Sequence, residues 1–216
     1  PPVHPKSARL LVDEAQDLWH LVAKTNIKRV VIVSSAEVYG PRPHNIGYLP
    51  ETRPRSYSGR NEIAQSWVDY EERAERTFAS TQLVILRPAS VLVKNGSGFF
   101  CQLFGRRLGI TLPGHDPTLQ LLSVDDLVGA ICAVIGKDVT GIFNVAPDGV
   151  VTLRGAFAIS GTKRLPVPRP IQGPLRRRPA DQLEYVRFAW TVSNQKLKDL
   201  VGFQPKHSSV DALLGF

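Results

Sequence analysis

Val30-Val31-Ile32-Val33-Ser34-Ser35-Ala36-Glu37-Val38-Tyr39-Gly40 sets an unbroken apolar run directly against two hydroxyls, a carboxylate and a glycine. Four consecutive apolar residues without polar alternation read as a strand buried on both faces, the condition of a parallel sheet covered by helices. Ligands of such sheets gather beyond the carboxyl ends of the strands, so Ser34, Ser35, Glu37 and Tyr39 stand where a bound molecule would be met. The same letters also describe a core strand followed by an ordinary polar turn, and alone they do not separate the two.

The flanking sequence favours the sheet. Upstream, Leu11, Ala15, Leu18 and Val22 recur at spacings of four, three and four, which predicts a helix over 7–24 closed by Asn26. Downstream, a proline- and glycine-rich loop over 41–59 leads into a helix with Ile63, Trp67, Tyr70, Ala74 and Phe78 on one stripe, and then into Leu83-Val84-Ile85-Leu86, halted by Arg87-Pro88. Two continuous apolar strands joined through a long helix predict a parallel α/β arrangement. Ser123-x-x-Asp126 has the form of a small capping box opening a helix that buries Leu127, Ala130, Ile131 and Val134, and the strand Ile142-Phe143-Asn144-Val145 follows. Beyond Val150 the pattern weakens to a short strand and helix over 151–159, a proline-rich loop, and a helix over 193–201 ended by Gly202. The fold class expected is α/β: the C-terminal part of a Rossmann-like doubly wound parallel sheet with a smaller α+β lobe.

Composition narrows the functional classes. With 43% apolar and 21% charged residues in a chain of 216, the composition is that of an ordinary globular protein. The chain opens on two prolines and contains no methionine, and so reads as a piece of a longer product. No apolar run approaches the roughly 18–20 residues of a membrane span, and Cys101 and Cys132, in apolar neighbourhoods without metal-like spacing, suggest reduced buried thiols and a cytoplasmic location. Five scattered histidines give no metal motif, and no metal is expected.

The net charge of +8 is local. Residues 149–180 carry Arg154, Lys163, Arg164, Arg169, Arg176, Arg177 and Arg178 and no acid, interrupted by five prolines. From 161 to 180 no aromatic residue is present to stack a base, which disfavours nucleic acid. A solvated basic loop, a loop gripping a diphosphate, and transient docking on an acidic membrane surface stay open.

Five motifs in order, Ser34-Ser35-Ala36-Glu37-Val38-Tyr39-Gly40, Ile85-Leu86-Arg87-Pro88-Ala89-Ser90-Val91, residues 121–131, Gly141-Ile142-Phe143-Asn144-Val145 and residues 200–205, together resemble the NAD-dependent epimerase/dehydratase family, the extended short-chain dehydrogenases/reductases. The resemblance implies an NAD(P)-dependent oxidoreductase acting on a nucleotide-activated sugar or related small molecule, with NAD or NADP as cofactor and a homodimer as one open state of the complete protein. On this basis residues 1–95 are a partial NAD(P)-binding domain and 96–216 mainly a substrate lobe, with 123–146 returning to the sheet. The family's opening strand and glycine turn, which hold the cofactor pyrophosphate, have no counterpart in the sequence.

The resemblance also distributes roles. Ser35 matches the hydroxyl that orients the substrate oxygen, and Glu37 falls where dehydratase branches place a catalytic carboxylate, its alternative being a solvent-facing turn carboxylate. Ser34, Arg87, Pro88, Ala89 and Ser90 match the strand ends bordering the cofactor, and Arg176, Arg177 and Arg178 are candidates for a substrate diphosphate. The family's catalytic tyrosine, with a lysine four residues later, registers either as Tyr57 with Asn61, the preferred alignment, or as Trp67 with Glu71; neither supplies the cation. A family member that has lost this pair and serves for binding or regulation is therefore the alternative function. Trp67 reads as a core residue, Tyr39 as a packing residue of the turn, and Asn144 as a strand-end backbone partner.

Overall fold

A computed structural model describes residues 15, 17–55, 62–168 and 181–216. Helical residues 17–23 (α1) lead into β1 (Arg29–Val33), a 3-10 turn (Ala36–Tyr39), α2 (Glu62–Thr77) and β2 (Gln82–Pro88). β3 (Ser90–Val91), α3 (Phe99–Phe104), β4 (Leu108–Thr111), β5 (Thr118–Leu119), β6 (Leu121–Leu122), α4 (Val124–Ile135) and β7 (Gly141–Val145) follow. The chain ends with β8 (Val151–Thr152), α5 (Leu153–Ser160), β9 (Lys163–Pro166), α6 (Asp181–Tyr185), α7 (Gln195–Val201) and α8 (Ser209–Leu214).

The apolar runs become a three-stranded parallel sheet in the order β1-β2-β7, with Ile32 opposite Ile85 and Leu86 opposite Phe143. Both faces are covered, as the lack of alternation requires. Val84, Leu86, Phe143 and Val145 pack with Ala130 and Val134 of α4 and Leu197 and Val201 of α7. Ile32 and Ile85 turn to the other face and meet Trp19, Ala74 and Phe78. α7 stops at Gly202, whose φ of 78° is the left-handed conformation that glycine adopts without a side-chain clash.

Several details depart from the sequence reading. In α1 the core-facing positions are Ala15, Trp19 and Val22, while Leu18 is 59% exposed. Both stripes satisfy helical spacing, and the one carrying the larger indole surface is buried. The buried face of α2 is Ala64, Val68, Glu71 and Ala74, so Ile63, Trp67 and Tyr70 are rotated to its margin. Ser123 caps α4 by accepting the N–H of Asp126, but the Asp126 carboxylate accepts the backbone N–H groups of Lys206 at 2.8 Å and His207 at 3.0 Å instead of closing the box. Burial pushes that carboxyl up, yet these bonds outweigh it and hold its pKa below the usual value. Cys132, expected inside, is exposed because it lies off the core-facing side of α4; Cys101 is buried, and both thiols are free.

The basic segment is not all loop: Lys163–Pro166 forms β9, parallel to β4, with Gly109 opposite Arg164. A methyl group on Gly109 would lie 2.4 and 2.5 Å from ring carbons of Phe157, a fully packed side chain of α5, and 3.0 Å from Thr162 Cγ2. Gly109→Ala is therefore expected to cost about 1–3 kcal/mol through overpacking, read as a lowered midpoint in chemical denaturation. Among the described residues no helix is long and apolar enough to cross a membrane.

Candidate functional site

β1 delivers the strand-end motif to the mouth of a cavity. Ser35 begins the 3-10 turn by accepting the backbone N–H of Glu37 at 3.1 Å, and Gly40 ends it at φ 63°, the backbone state that suits glycine. This short turn points Glu37 inward and buries Ala36, Val38 and Tyr39 as an anchor. The cavity, about 620 Å³, lies beyond the carboxyl ends of β1 and β2, a volume typical of small-molecule sites. Ser34, Ser35 and Glu37 line it from β1, Pro88, Ala89 and Ser90 from β2 and β3, and Trp67 and Tyr70 from α2.

Glu37 is the side chain whose chemistry is most altered. Trp67 Nε1 donates to its Oε2 at 3.2 Å. Removal from water pushes its carboxyl up from the ordinary 4.5 to about 7, with the Trp67 hydrogen bond and the nearby Tyr185 hydroxyl pulling in the opposite direction. The desolvated carboxyl can therefore hold or release a proton near neutral pH. It stands half-buried in the cavity lining, not fully exposed on the turn.

A charged network underlies the site. Glu71 of α2 receives Arg87 Nε at 2.8 Å and Nη2 at 2.6 Å, the hydroxyl of Ser34 at 2.6 Å, and Arg55 Nε at 3.0 Å. Arg87 Nη1 donates to the Tyr39 hydroxyl at 2.7 Å, which donates to Asn144 Oδ1 at 3.0 Å; Asn144 Nδ2 donates to the carbonyl of Leu49 at 3.1 Å. Adjacent strands β1, β2 and β7 and the helix α2 are thus fastened at one level, immediately behind the strand-end turn. Burial raises the pKa of Tyr39 despite the neighbouring guanidinium, which leaves its phenol protonated.

These contacts revise the placement of Arg87. It was expected on the cofactor side of the strand end, but it is 1% exposed, bound to Glu71 and Tyr39, and absent from the cavity lining. Its side chain points away from the cavity because residues alternate along β2, while Pro88 and Ala89 at the strand end reach it. Ser34 lines the cavity with its hydroxyl already donated to Glu71. Trp67 is not simply a core residue, since its indole forms a cavity wall and carries the Glu37 hydrogen bond. Two cavity-facing pairs four residues apart lie on α2, Ile63 with Trp67 and Ser66 with Tyr70, and among the described residues no lysine, arginine or histidine lines the cavity. The pKa of Tyr70 is pushed up to about 12 by burial and by the Glu71 charge, the wrong direction for proton transfer at neutral pH. Tyr57, Asn61, Arg176, Arg177 and Arg178 lie outside the described residues.

The opposite wall comes from parts of the sequence that carry no motif. Phe99 and Phe100 open α3, and Tyr185 and Trp190 belong to the stretch after the basic segment. Leu49 bridges to Val192, Gln120 donates to and accepts from the Val192 backbone, and Asn45 Nδ2 donates to the carbonyls of Gly40 and Ala189. These backbone clamps fix Trp190 beside the strand-end turn. Nothing in the local sequence marks them, since each joins residues far apart in the chain.

Fold and strand-end cavity together define a Rossmann-like α/β protein with a cavity at the carboxyl edge of a parallel sheet. A profile of the NAD dependent epimerase/dehydratase family matches residues 11–146, more than half of the chain, and the chain belongs to that family. An uncharacterized protein of Mycobacterium tuberculosis is 28% identical over 207 residues, covering 87% of this chain and 53% of its own length; its counterpart in Mycobacterium bovis matches equally. The chain thus spans about half the length of these curated relatives. Among solved structures, UDP-glucuronic acid 4-epimerase from Bacillus cereus in complex with UDP-glucuronic acid and NAD superimposes with a TM-score of 0.72 at 14% identity, covering 94% of this chain and 64% of that one. DesIV, the dTDP-glucose 4,6-dehydratase of Streptomyces venezuelae, gives 0.71 at 16% identity, covering 94% and 63%. At such identities the likeness concerns the fold.

Proposed function

We propose that the whole protein is an NAD(P)-dependent oxidoreductase of the epimerase/dehydratase type acting on a nucleotide-activated sugar or related small molecule. The observation that carries this reading is the placement of Ser35 and the desolvated Glu37 in a 620 Å³ cavity at the carboxyl ends of β1 and β2. Bound NAD(P) would supply reversible hydride acceptance. The apolar Pro88-Ala89 wall and the Ser90 edge fit the nicotinamide end, with Ser34 behind them, whereas the described lining offers no cation for the pyrophosphate. Ser35, whose oxygen accepts from Glu37 N–H, retains its own proton to donate to a substrate oxygen. Glu37 takes or returns a proton at the carbon adjacent to the one that bears that oxygen, whose C–H is acidified once the oxygen is a carbonyl. Tyr57 remains the proposed tyrosine of the site, and Arg176, Arg177 and Arg178 the proposed grip on a substrate diphosphate.

Neither cavity-facing pair of α2, Ile63 with Trp67 or Ser66 with Tyr70, sets a lysine four residues after a tyrosine, which favours a second reading in which the fold binds a ligand without turnover. Titrating the full-length protein with NADH separates the cofactor question from the catalytic one. The expected result is saturable enhancement of NADH fluorescence and, in the presence of NAD, conversion of a nucleotide sugar followed by product analysis, because a reaction of this type returns the hydride and leaves no net NADH. Saturation without turnover assigns the binding role, and no saturation at millimolar cofactor removes the oxidoreductase reading.

A further inference from the structure

The cavity combines one acid with many rings. Glu37 is the single charged side chain among its described lining residues. Trp67 and Tyr70 form one wall, with ring centroids 5.5 Å apart, and Phe99, Tyr185 and Trp190 form the other, with Phe99–Tyr185 and Tyr185–Trp190 separations of 5.4 and 5.6 Å. Glu37 stands between the walls: Trp67 Nε1 donates to it at 3.2 Å, and the Tyr185 hydroxyl on the other side exerts a favourable electrostatic pull on the carboxylate. By contrast, the buried Glu71 directly behind is already matched by Arg87 and Arg55 and holds no unmet charge for a ligand.

We infer that the group this cavity takes is an ammonium-bearing ring, with Glu37 as its counter-ion and the aromatic walls as its cage. A carboxylate withdrawn from water without a cation is unfavourable, and a ligand cation removes that penalty. Ring faces attract an ammonium through their quadrupoles, most strongly where water is excluded. An anionic group would meet the same carboxylate as a like charge with no arginine or lysine of the described lining to offset it. The inference rests on the reading of this cavity as the substrate site and sharpens it to a charge class.

The test uses the full-length protein and three probes of nearly one shape: benzylamine, which is protonated at pH 8, benzyl alcohol and benzoate. Trp67 and Trp190 line the cavity, so quenching of intrinsic fluorescence reports occupancy. At pH 8 the ammonium probe is expected to bind at least tenfold more tightly than benzyl alcohol, with benzoate weaker than both. Glu37→Gln should abolish the ammonium advantage while leaving benzyl alcohol binding, which itself shows that the variant is folded. Benzoate binding as tightly as the ammonium, equal affinity for ammonium and alcohol, or no binding of any probe would each overturn the inference on the unaltered protein alone. Loss of NADH binding with the ammonium preference intact would instead remove only the cofactor reading.

Discussion

Glu71→Ala is expected to destabilise the protein by about 3–5 kcal/mol, the cost of leaving a buried charge without its partner. Glu71 is fully buried and collects Arg87, Arg55 and the Ser34 hydroxyl, so its removal strands the guanidinium of Arg87 in an apolar interior with only the Tyr39 oxygen to accept from it. Burial alone would lower the pKa of Arg87, but Glu71 more than offsets this and raises it, which measures how far the pair depends on the carboxylate. Arg87→Ala should cost less, because Arg55 still pairs with Glu71 at 3.0 Å. Replacing Glu71 and Arg87 together by Leu and Met should recover most of the loss, since no charge then remains unmatched. Urea unfolding of the four proteins checks the order. Equal losses for the two alanine variants would show that the Arg55 contact contributes nothing.

This network also shows where sequence reading stops. The strands were legible because burial on both faces removes alternation, and the parallel pairing of β1 with β2 followed from the helix between them, whereas the order β1-β2-β7 came from the fold. The strand-end cluster was legible for the same reason: Ser35 and Glu37 directly follow a strand whose end must face a crevice. The direction of Arg87 was not, because the motif Leu86-Arg87-Pro88 places the residue at the strand end without saying that a glutamate 16 positions earlier will claim it. Trp67 was ambiguous since one helical stripe serves equally as core or cavity wall, and only the approach of Glu37 decides. Tyr185 and Trp190 were not legible at all. Their position depends on pairings of Leu49 with Val192 and of Gln120 with Val192, which become apparent only once the chain has folded back over the turn.

Glu37→Gln is expected to stabilise the protein at pH 8 by about 3 kcal/mol while lowering the proposed turnover by about 10²–10⁴-fold. The sign follows from proton linkage. Burial raises the Glu37 carboxyl from 4.5 in the unfolded chain to about 7 in the fold, so between these values the folded state binds the extra proton. The stability this contributes is present in full below about pH 4.5 and is lost as pH rises through about 7, above which the folded protein carries a desolvated anion. Glutamine keeps the shape and accepts the Trp67 hydrogen bond but has no charge to bury, so its advantage should vanish at pH 4 and grow to its full value by pH 8. Denaturant midpoints of the two proteins across that range give the measurement. Parallel curves would mean that the carboxylate is solvated and that its place in the cavity is not that of a proton donor. Divergent curves together with lost turnover would identify a carboxyl that the fold holds in an unfavourable ionisation state at the position where its chemistry is needed.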